Sequence, residues 1–239
     1  MTEVTLDGRV LVDRAAWTAA RLEHLDAEKE LTRQRDELSR RRRELPWFEI
    51  TDEYAFTGLD GSTRTLAELF EGRSQLIVMH FMFGPGWPEG CPSCSFWADG
   101  YDGTLVHLQH RNTSFAVVSR APIEELAAYR DRMGWEIPWW SSAGSSFNVD
   151  MGVSFDGDEG GRPYNFGTQD FGGDEAPGAS VFVRSPDGRV FLTYLTFSRG
   201  LDMLNSTYHF LDLTPLGRDE DDLPWTMAWL HRHDAYPSS

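Results

Sequence analysis

One stretch limits what this chain can fold into more than any other: QLIVMHFMFGPGWPEGCPSCSFW, residues 75–97. It opens on an unbroken apolar run, Leu76-Ile77-Val78-Met79-His80-Phe81-Met82-Phe83. That is about the length of a strand buried on both faces and too short for an independent helix. A Gly/Pro-rich turn follows, and then Cys91-Pro92-Ser93-Cys94, which holds the only two cysteines of the chain. An apolar strand, a turn and a CxxC opening a helix form an arrangement suited to dithiol chemistry.

The physical reason is local. The first turn of a helix presents unpaired N–H groups and the positive end of the helix dipole, which favour a thiolate over a thiol. Cys91 is therefore the expected nucleophile. One helical turn carries Cys94 back beside it, close enough to resolve a mixed disulfide into an intramolecular one. Pro92 suits the first turn, where its missing N–H would have had no helical partner.

Two other readings of the cysteines stay open. A four-cysteine zinc site is excluded by the cysteine count, but Cys91, Cys94, His107 and His110 follow C-x2-C-x12-H-x2-H, close to a zinc-finger spacing. Here, however, a long apolar strand and a helix start flank the cysteines in place of a small hairpin. The second alternative is a pair of inert thiols. The formal net charge of −16 argues against nucleic acid and anionic membranes as partners. The first residues carry neither a basic n-region nor an apolar h-region, and no stretch is long enough to span a bilayer. A reducing cytoplasmic setting is expected, in which a CxxC is catalytic more often than a structural disulfide.

At 239 residues the chain has the length for one large domain or a domain with an appendage. Residues 13–44 read as a long polar helix, with Asp13 as its cap and Asp36–Arg40 and Glu37–Arg41 as i,i+4 pairs. So polar a helix has little to bury alone, and pairing into a homodimer is one expectation for it. The run Arg40-Arg41-Arg42-Arg43 is either a docking site or packs against acidic surface. The second region is expected to begin at Pro46, giving a helical arm over residues 1–45 and a domain over 46–239. Within it a strand is expected over 47–56, a short helix over 65–70, a kinked helix over 96–110, a strand over 115–119 and a helix over 123–133. Residues 155–178, rich in Gly and Asp with interspersed aromatics, form an inserted loop. A hairpin turning at Pro186-Asp187-Gly188 follows, and residues 201–210 and 225–231 are expected to be helical. Trp87 and Tyr164 either line a substrate groove or anchor their loops to the core. His24, His209, His231 and His233 carry no spacing that singles them out.

Strands alternating with helices and ending in a hairpin imply an α/β fold with a mixed sheet. This order, with an apolar strand before CxxC and a strand, PDG turn and strand near the end, resembles the thioredoxin superfamily. More closely, HFMFGPGWPEGCPSCSFWADG, VSRAPIEELAAYRDRMGW, FNVDMGVSF, YHFLDLTPLGRDE and ELTRQRDELSRRRRELPW resemble a bacterial family known as domain of unknown function 899, whose members are thioredoxin-like and described as predicted dithiol-disulfide oxidoreductases. The resemblance runs from about Trp17 to Tyr236. It implies a thioredoxin-like mixed sheet flanked by helices, Cys91 as nucleophile, Cys94 as resolving residue, no cofactor, and as partners a thiol or disulfide substrate and a cellular reductant. Laid on the thioredoxin strand, His80 falls where a buried acid relays a proton to the second cysteine; a core histidine bonded to a carbonyl is the alternative. Two departures accompany these matches. The loop before the cysteines is longer, and no Trp directly precedes them. Ala179 occupies the place of the cis-proline that borders the substrate groove, with Pro177 two residues earlier. A peroxiredoxin-type peroxidase is a further alternative, but the corresponding positions Gly84 and Pro88 lack its Pro and Thr or Ser. A metal-binding or interaction module using the CxxC with His80, His107 or His110 is the other.

Overall fold

The fold, a computed structural model, is described over residues 5–6, 8–155 and 162–237. It divides into two units, Met1–Pro46 and Trp47–Ser239. The first carries a two-residue hairpin, Thr5–Leu6 with Arg9–Val10, and one helix, α1 (Arg14–Arg42). Asp13 Oδ1 caps that helix by accepting from the Ala16 N–H at 2.9 Å, as expected. None of its residues is buried. Local ion pairs line it instead, Glu37 holding both Arg40 and Arg41 at 2.8 Å. Arg40 takes Glu37 and Glu44 as partners where the sequence suggested Asp36, because the longer glutamate reaches the guanidinium more easily. Pairs this exposed add little stability, because water screens them.

The second unit is built on eight strands: β1 (Phe48–Ile50), β2 (Ala55–Gly58), β3 (Thr63–Thr65), β4 (Gln75–His80), β5 (Thr113–Ser119), β6 (Trp139–Ser141), β7 (Gly178–Arg184) and β8 (Val190–Phe197). They lie in one sheet in the order β1-β8-β7-β4-β5-β6-β2-β3. β4 is parallel to β5, with Val78 opposite Ala116, and antiparallel to β7, with Met79 opposite Ala179. The apolar run thus becomes an inner strand, and its two faces feed separate cores. Leu76 and Val78 enter one cluster with Phe56, Phe147 and Phe182; Met79 and Phe81 enter the other with Trp97, Leu126 and Trp139. Helices α2 (Pro92–Ala98), α3 (Asp102–Gln109), α4 (Ile123–Met133), α5 (Phe147–Asp150) and α6 (Ser206–Leu211) flank the sheet. The result is a thioredoxin-like α/β fold with a mixed sheet.

Several expectations are corrected. The strand expected over 47–56 is two strands near opposite edges of the sheet, β1 beside β8 and β2 beside β6. The Asp52-Glu53 pair interrupts the alternation, and only Tyr54 and Phe56 beyond it turn into the core. The helix expected over 65–70 is a single 3-10 turn, Glu68–Phe70, after β3. The kinked helix over 96–110 is two helices broken between Ala98 and Asp102. Residues 225–231 form turns, pinned by Glu220, whose Oε1 accepts from Met227 N at 3.1 Å, Trp229 Nε1 at 2.7 Å and the Tyr208 hydroxyl at 2.8 Å. In the inserted loop, Pro163–Tyr164 pairs with Gln169–Asp170; residues 156–161 lie outside the described residues. Among the described residues no helix is long and apolar enough to cross a membrane.

Candidate active site

The chain leaves β4 still bonded to its neighbour: Phe81 N donates to Val118 O at 2.9 Å, and Ala121 N donates to Phe83 O at 2.8 Å. The Gly/Pro-rich loop then doubles back, so that Cys91 N donates to Met82 O at 3.1 Å while Met82 N donates to Cys94 Sγ at 3.4 Å. Both cysteines are therefore tied to the backbone of one residue. The loop can return so closely because Gly90 has no side chain: a Cβ there would sit 2.7 Å from the Phe81 ring and 2.9 Å from the Tyr129 ring. Cys91 is the N-cap of α2, with Pro92 in its first turn, as the sequence predicted. Cys91 is half-buried, Cys94 is buried, and both are free thiols.

Their surroundings split the two thiols apart. The Cys94 thiol donating to the Cys91 sulfur pulls Cys91 down to about 7, and the backbone N–H groups of Cys94 and Ser93 and the Ser93 hydroxyl act the same way against the cost of burial. Cys94 is pushed well above the ordinary thiol range, first by that same hydrogen bond to the Cys91 sulfur and then by burial. Near neutral pH the outer sulfur is the one that ionises, and the buried thiol behind it keeps its proton.

A chain of hydrogen bonds from distant sequence holds the backbone at Cys91. Arg232 Nε donates to the Tyr129 hydroxyl at 2.9 Å, Tyr129 and Ser95 Oγ lie 2.8 Å apart, and Ser95 Oγ donates to Cys91 O at 2.9 Å. Arg232 also donates to Gly90 O and pairs with Glu89 at 2.7 Å, and Arg132 bridges Glu89 and Asp234, each at 2.7 Å. The loop before the dithiol is thus fixed between α4 and the C-terminal tail. Ser95, Tyr129 and Arg232 were not among the residues expected at the site; only Ser95, one turn after Cys91, carried a local signal.

Beside the dithiol lies a cavity of about 370 Å3. Its walls are largely apolar: Phe81 and Met82 beside the dithiol, Trp97 from α2, Phe171 from the inserted loop, and Leu201 and Met227 from the C-terminal region. Tyr164 lines it too, and accepts from Ser198 N at 2.8 Å while donating to Pro177 O.

Several expected site residues are placed differently. Neither Trp87 nor Ala179 lines this cavity. Trp87 folds back over Gly84, its indole nitrogen 3.0 Å from where a Cβ would stand, which makes it an anchor of its own loop. Ala179 pairs with Met79 and is buried in the cluster that also holds Cys94, while its predecessors Pro177 and Gly178 line the cavity. No peptide bond among the described residues is cis. His80 reaches the cavity lining, but its ring follows Leu76 and Val78 into the first core, 5.6 Å from Phe147, with Nε2 2.6 Å from Ser180 Oγ. Burial draws its imidazole down to about 3, so it is neutral at pH 7 and a poor acceptor for a proton from Cys94. His107 and His110 lie on α3 and its C-cap, His110 Nδ1 lying 2.8 Å from Val106 O. Among the described residues no three His, Cys, Asp or Glu side chains come together as metal ligands, so the alternative of Cys91, Cys94, His107 and His110 sharing a metal is corrected: the cysteines stand at the start of α2 and the histidines at the far end of α3.

The model of a family described as bacterial protein of unknown function (DUF899) matches residues 8–236. The chain belongs to this family. No curated protein matches the DUF899 chain. Among solved structures it is similar to the peroxidoxin BcpB from Mycobacterium tuberculosis (14% identity, TM-score 0.47, covering 68% of this chain and 96% of that one). It is also similar to a putative protein disulfide isomerase from Bacteroides thetaiotaomicron (18% identity, TM-score 0.39, covering 69% and 91%). A peroxiredoxin-like protein from Aquifex aeolicus is a third (10% identity, TM-score 0.42, covering 64% and 75%).

Proposed function

We propose that this DUF899 chain is a dithiol-disulfide oxidoreductase whose working groups are Cys91 and Cys94. The observation that carries the reading is the placement of the pair: half-buried Cys91 caps α2 and buried Cys94 stands within its first turn, an arrangement that draws Cys91 down to about 7 and pushes Cys94 up. A nucleophile with a pKa near ambient pH combines a large thiolate fraction with high intrinsic reactivity.

The reaction runs in two exchanges. The Cys91 thiolate attacks one sulfur of a substrate disulfide, the S–S bond breaks, and the other half leaves as a thiolate that takes a proton from solvent. Cys94 loses its proton and attacks Cys91 Sγ of the mixed disulfide, releasing the second half as a thiolate. The substrate gains two electrons and two protons, and the protein holds a Cys91–Cys94 disulfide. A cellular dithiol reductant reverses the same steps to restore the pair. Attack by Cys94 is favoured once Cys91 is bonded to substrate, because the partner thiolate that kept the Cys94 proton in place has gone. The sulfurs supply the whole of this chemistry, and no cofactor is invoked.

The test is a thiol count on protein purified without reductant or chelator, with metal analysis on the same sample. The expected outcome is two thiols that appear only after dithiothreitol, no bound metal, and in Cys94→Ser a mixed disulfide trapped on Cys91. Two thiols that stay unpaired under oxidising conditions, or metal at one per chain released together with the thiols, would defeat the reading.

A further inference from the structure

The cavity beside the dithiol bears on what the substrate is. We infer that the substrate is a small, largely apolar disulfide taken into this cavity, and not a polypeptide; the inference rests on the dithiol reading above.

Size and lining come first. A cavity of about 370 Å3 is at the small end of ligand pockets, and those are apolar with a few placed polar groups. Here Met82, Trp97, Phe171, Leu201 and Met227 supply the apolar walls, while Gln169, Ser198 and Arg199 bring polar groups from the loops. Arg199 pairs with Asp202, which also lines the cavity and takes Arg218 as well, so among the described residues the one lining cation already has an anion beside it.

The second observation is that the backbone at Pro177 and Gly178, which lines the cavity, is already occupied. A polypeptide disulfide held beside a strand end needs unpaired backbone groups to bond with. Ala176 N donates to Val153 O at 2.7 Å, Pro177 has no N–H and its carbonyl accepts from Tyr164, and Gly178 is paired within the sheet opposite both His80 and Phe197. Tyr164 is fixed in turn by Ser198 N, so that carbonyl is not readily released. The inserted loop and the C-terminal tail, through Phe171 and Met227, add walls that a peptide would have to displace.

A disulfide also suits this lining better than a peroxide. Cleaving an O–O bond expels an alkoxide or hydroxide, a far more basic leaving group than a thiolate, and needs strong donors where that charge develops. Among the described residues, the lining groups other than Arg199, which is paired with Asp202, offer only neutral donors.

The experiment follows loss of thiols when reduced protein meets dipropyl disulfide, hydroxyethyl disulfide, insulin or cumene hydroperoxide. The first two are neutral and nearly isosteric, a terminal methyl in one replacing a hydroxyl in the other, and each rate is divided by that of a free alkyl thiolate with the same compound. The expected result is a normalised preference of about tenfold or more for dipropyl disulfide, since burying an unpaired hydroxyl carries a penalty of that order. Insulin is expected to react no faster than with dithiothreitol alone, and Thr226→Trp, which narrows the cavity from its exposed side, to lower the dipropyl disulfide rate. No preference between the two alkyl disulfides, insulin reacting as fast as either, or cumene hydroperoxide outpacing both would overturn the substrate class and leave Cys91 and Cys94 as a working redox pair. Failure of all four to oxidise a protein whose two thiols are alkylated normally would remove the dithiol reading itself, and this inference with it.

Discussion

At the scale of single residues, the site depends on how one thiol sets the charge of another. The largest influence drawing Cys91 down is the Cys94 thiol, ahead of the helix-start N–H groups that the motif alone would suggest. Alkylation of Cys91 by iodoacetamide is therefore expected to rise with pH through a midpoint of about 7, falling tenfold per pH unit below it as the thiolate is protonated. In Cys94→Ala the donor is gone while the burial remains, so the midpoint moves up; an unchanged midpoint would mean that the helix start alone sets it. His80 shows the opposite limit of sequence reading. Its position in the apolar run marks it as buried, which it is, but strand alternation sends its ring into the core beside Phe147, with Ser180 as its partner. Another buried polar group, Glu175, went unremarked in the sequence because its partners, Arg120 at 2.6 Å and Ser154 at 2.6 Å, come from distant segments.

At the scale of elements, those with local signals were legible and those defined by distant partners were not. α4 spans the expected residues, entered from Pro122 and closed by Gly134 in the left-handed region at φ 67°, because its stop and start chemistry lies in its own sequence. The C-terminal tail has apolar residues at helical spacing over 225–231, yet it forms turns. Glu220 offers one carboxylate oxygen to Met227, Trp229 and Tyr208, and those three bonds outweigh a short helix that would have been marginal in water. Glu220→Ala is expected to release this segment, seen as faster hydrogen exchange at residues 225–230. Because Met227 lines the cavity, a slower exchange with dipropyl disulfide should accompany it. Unchanged protection would show that packing of Trp229 against Phe96 is enough to hold the tail.

At the scale of the whole molecule, the sheet and both cores lie within Trp47–Ser239. Residues 47–239 alone are expected to melt at the temperature of the full chain and to keep the Cys91 alkylation midpoint; calorimetry and the same pH profile check both, and a lost transition would show that the helix-bearing unit is needed for folding. The sequence by itself determined the fold class, the inner strand, the dithiol at a helix start and the long polar helix, because each follows from patterns within about thirty residues: an apolar run, a CxxC, a cap and i,i+4 pairs. Only the tertiary structure decided which edge each short strand joins, that Pro177 and Gly178 rather than Ala179 line the cavity, that Arg232 and Tyr129 hold the backbone at Cys91, and that a cavity exists beside it. Those features are contacts between residues as many as 142 positions apart, Arg232 with Gly90 among them, and each is fixed by shape and hydrogen-bond geometry that no local pattern carries.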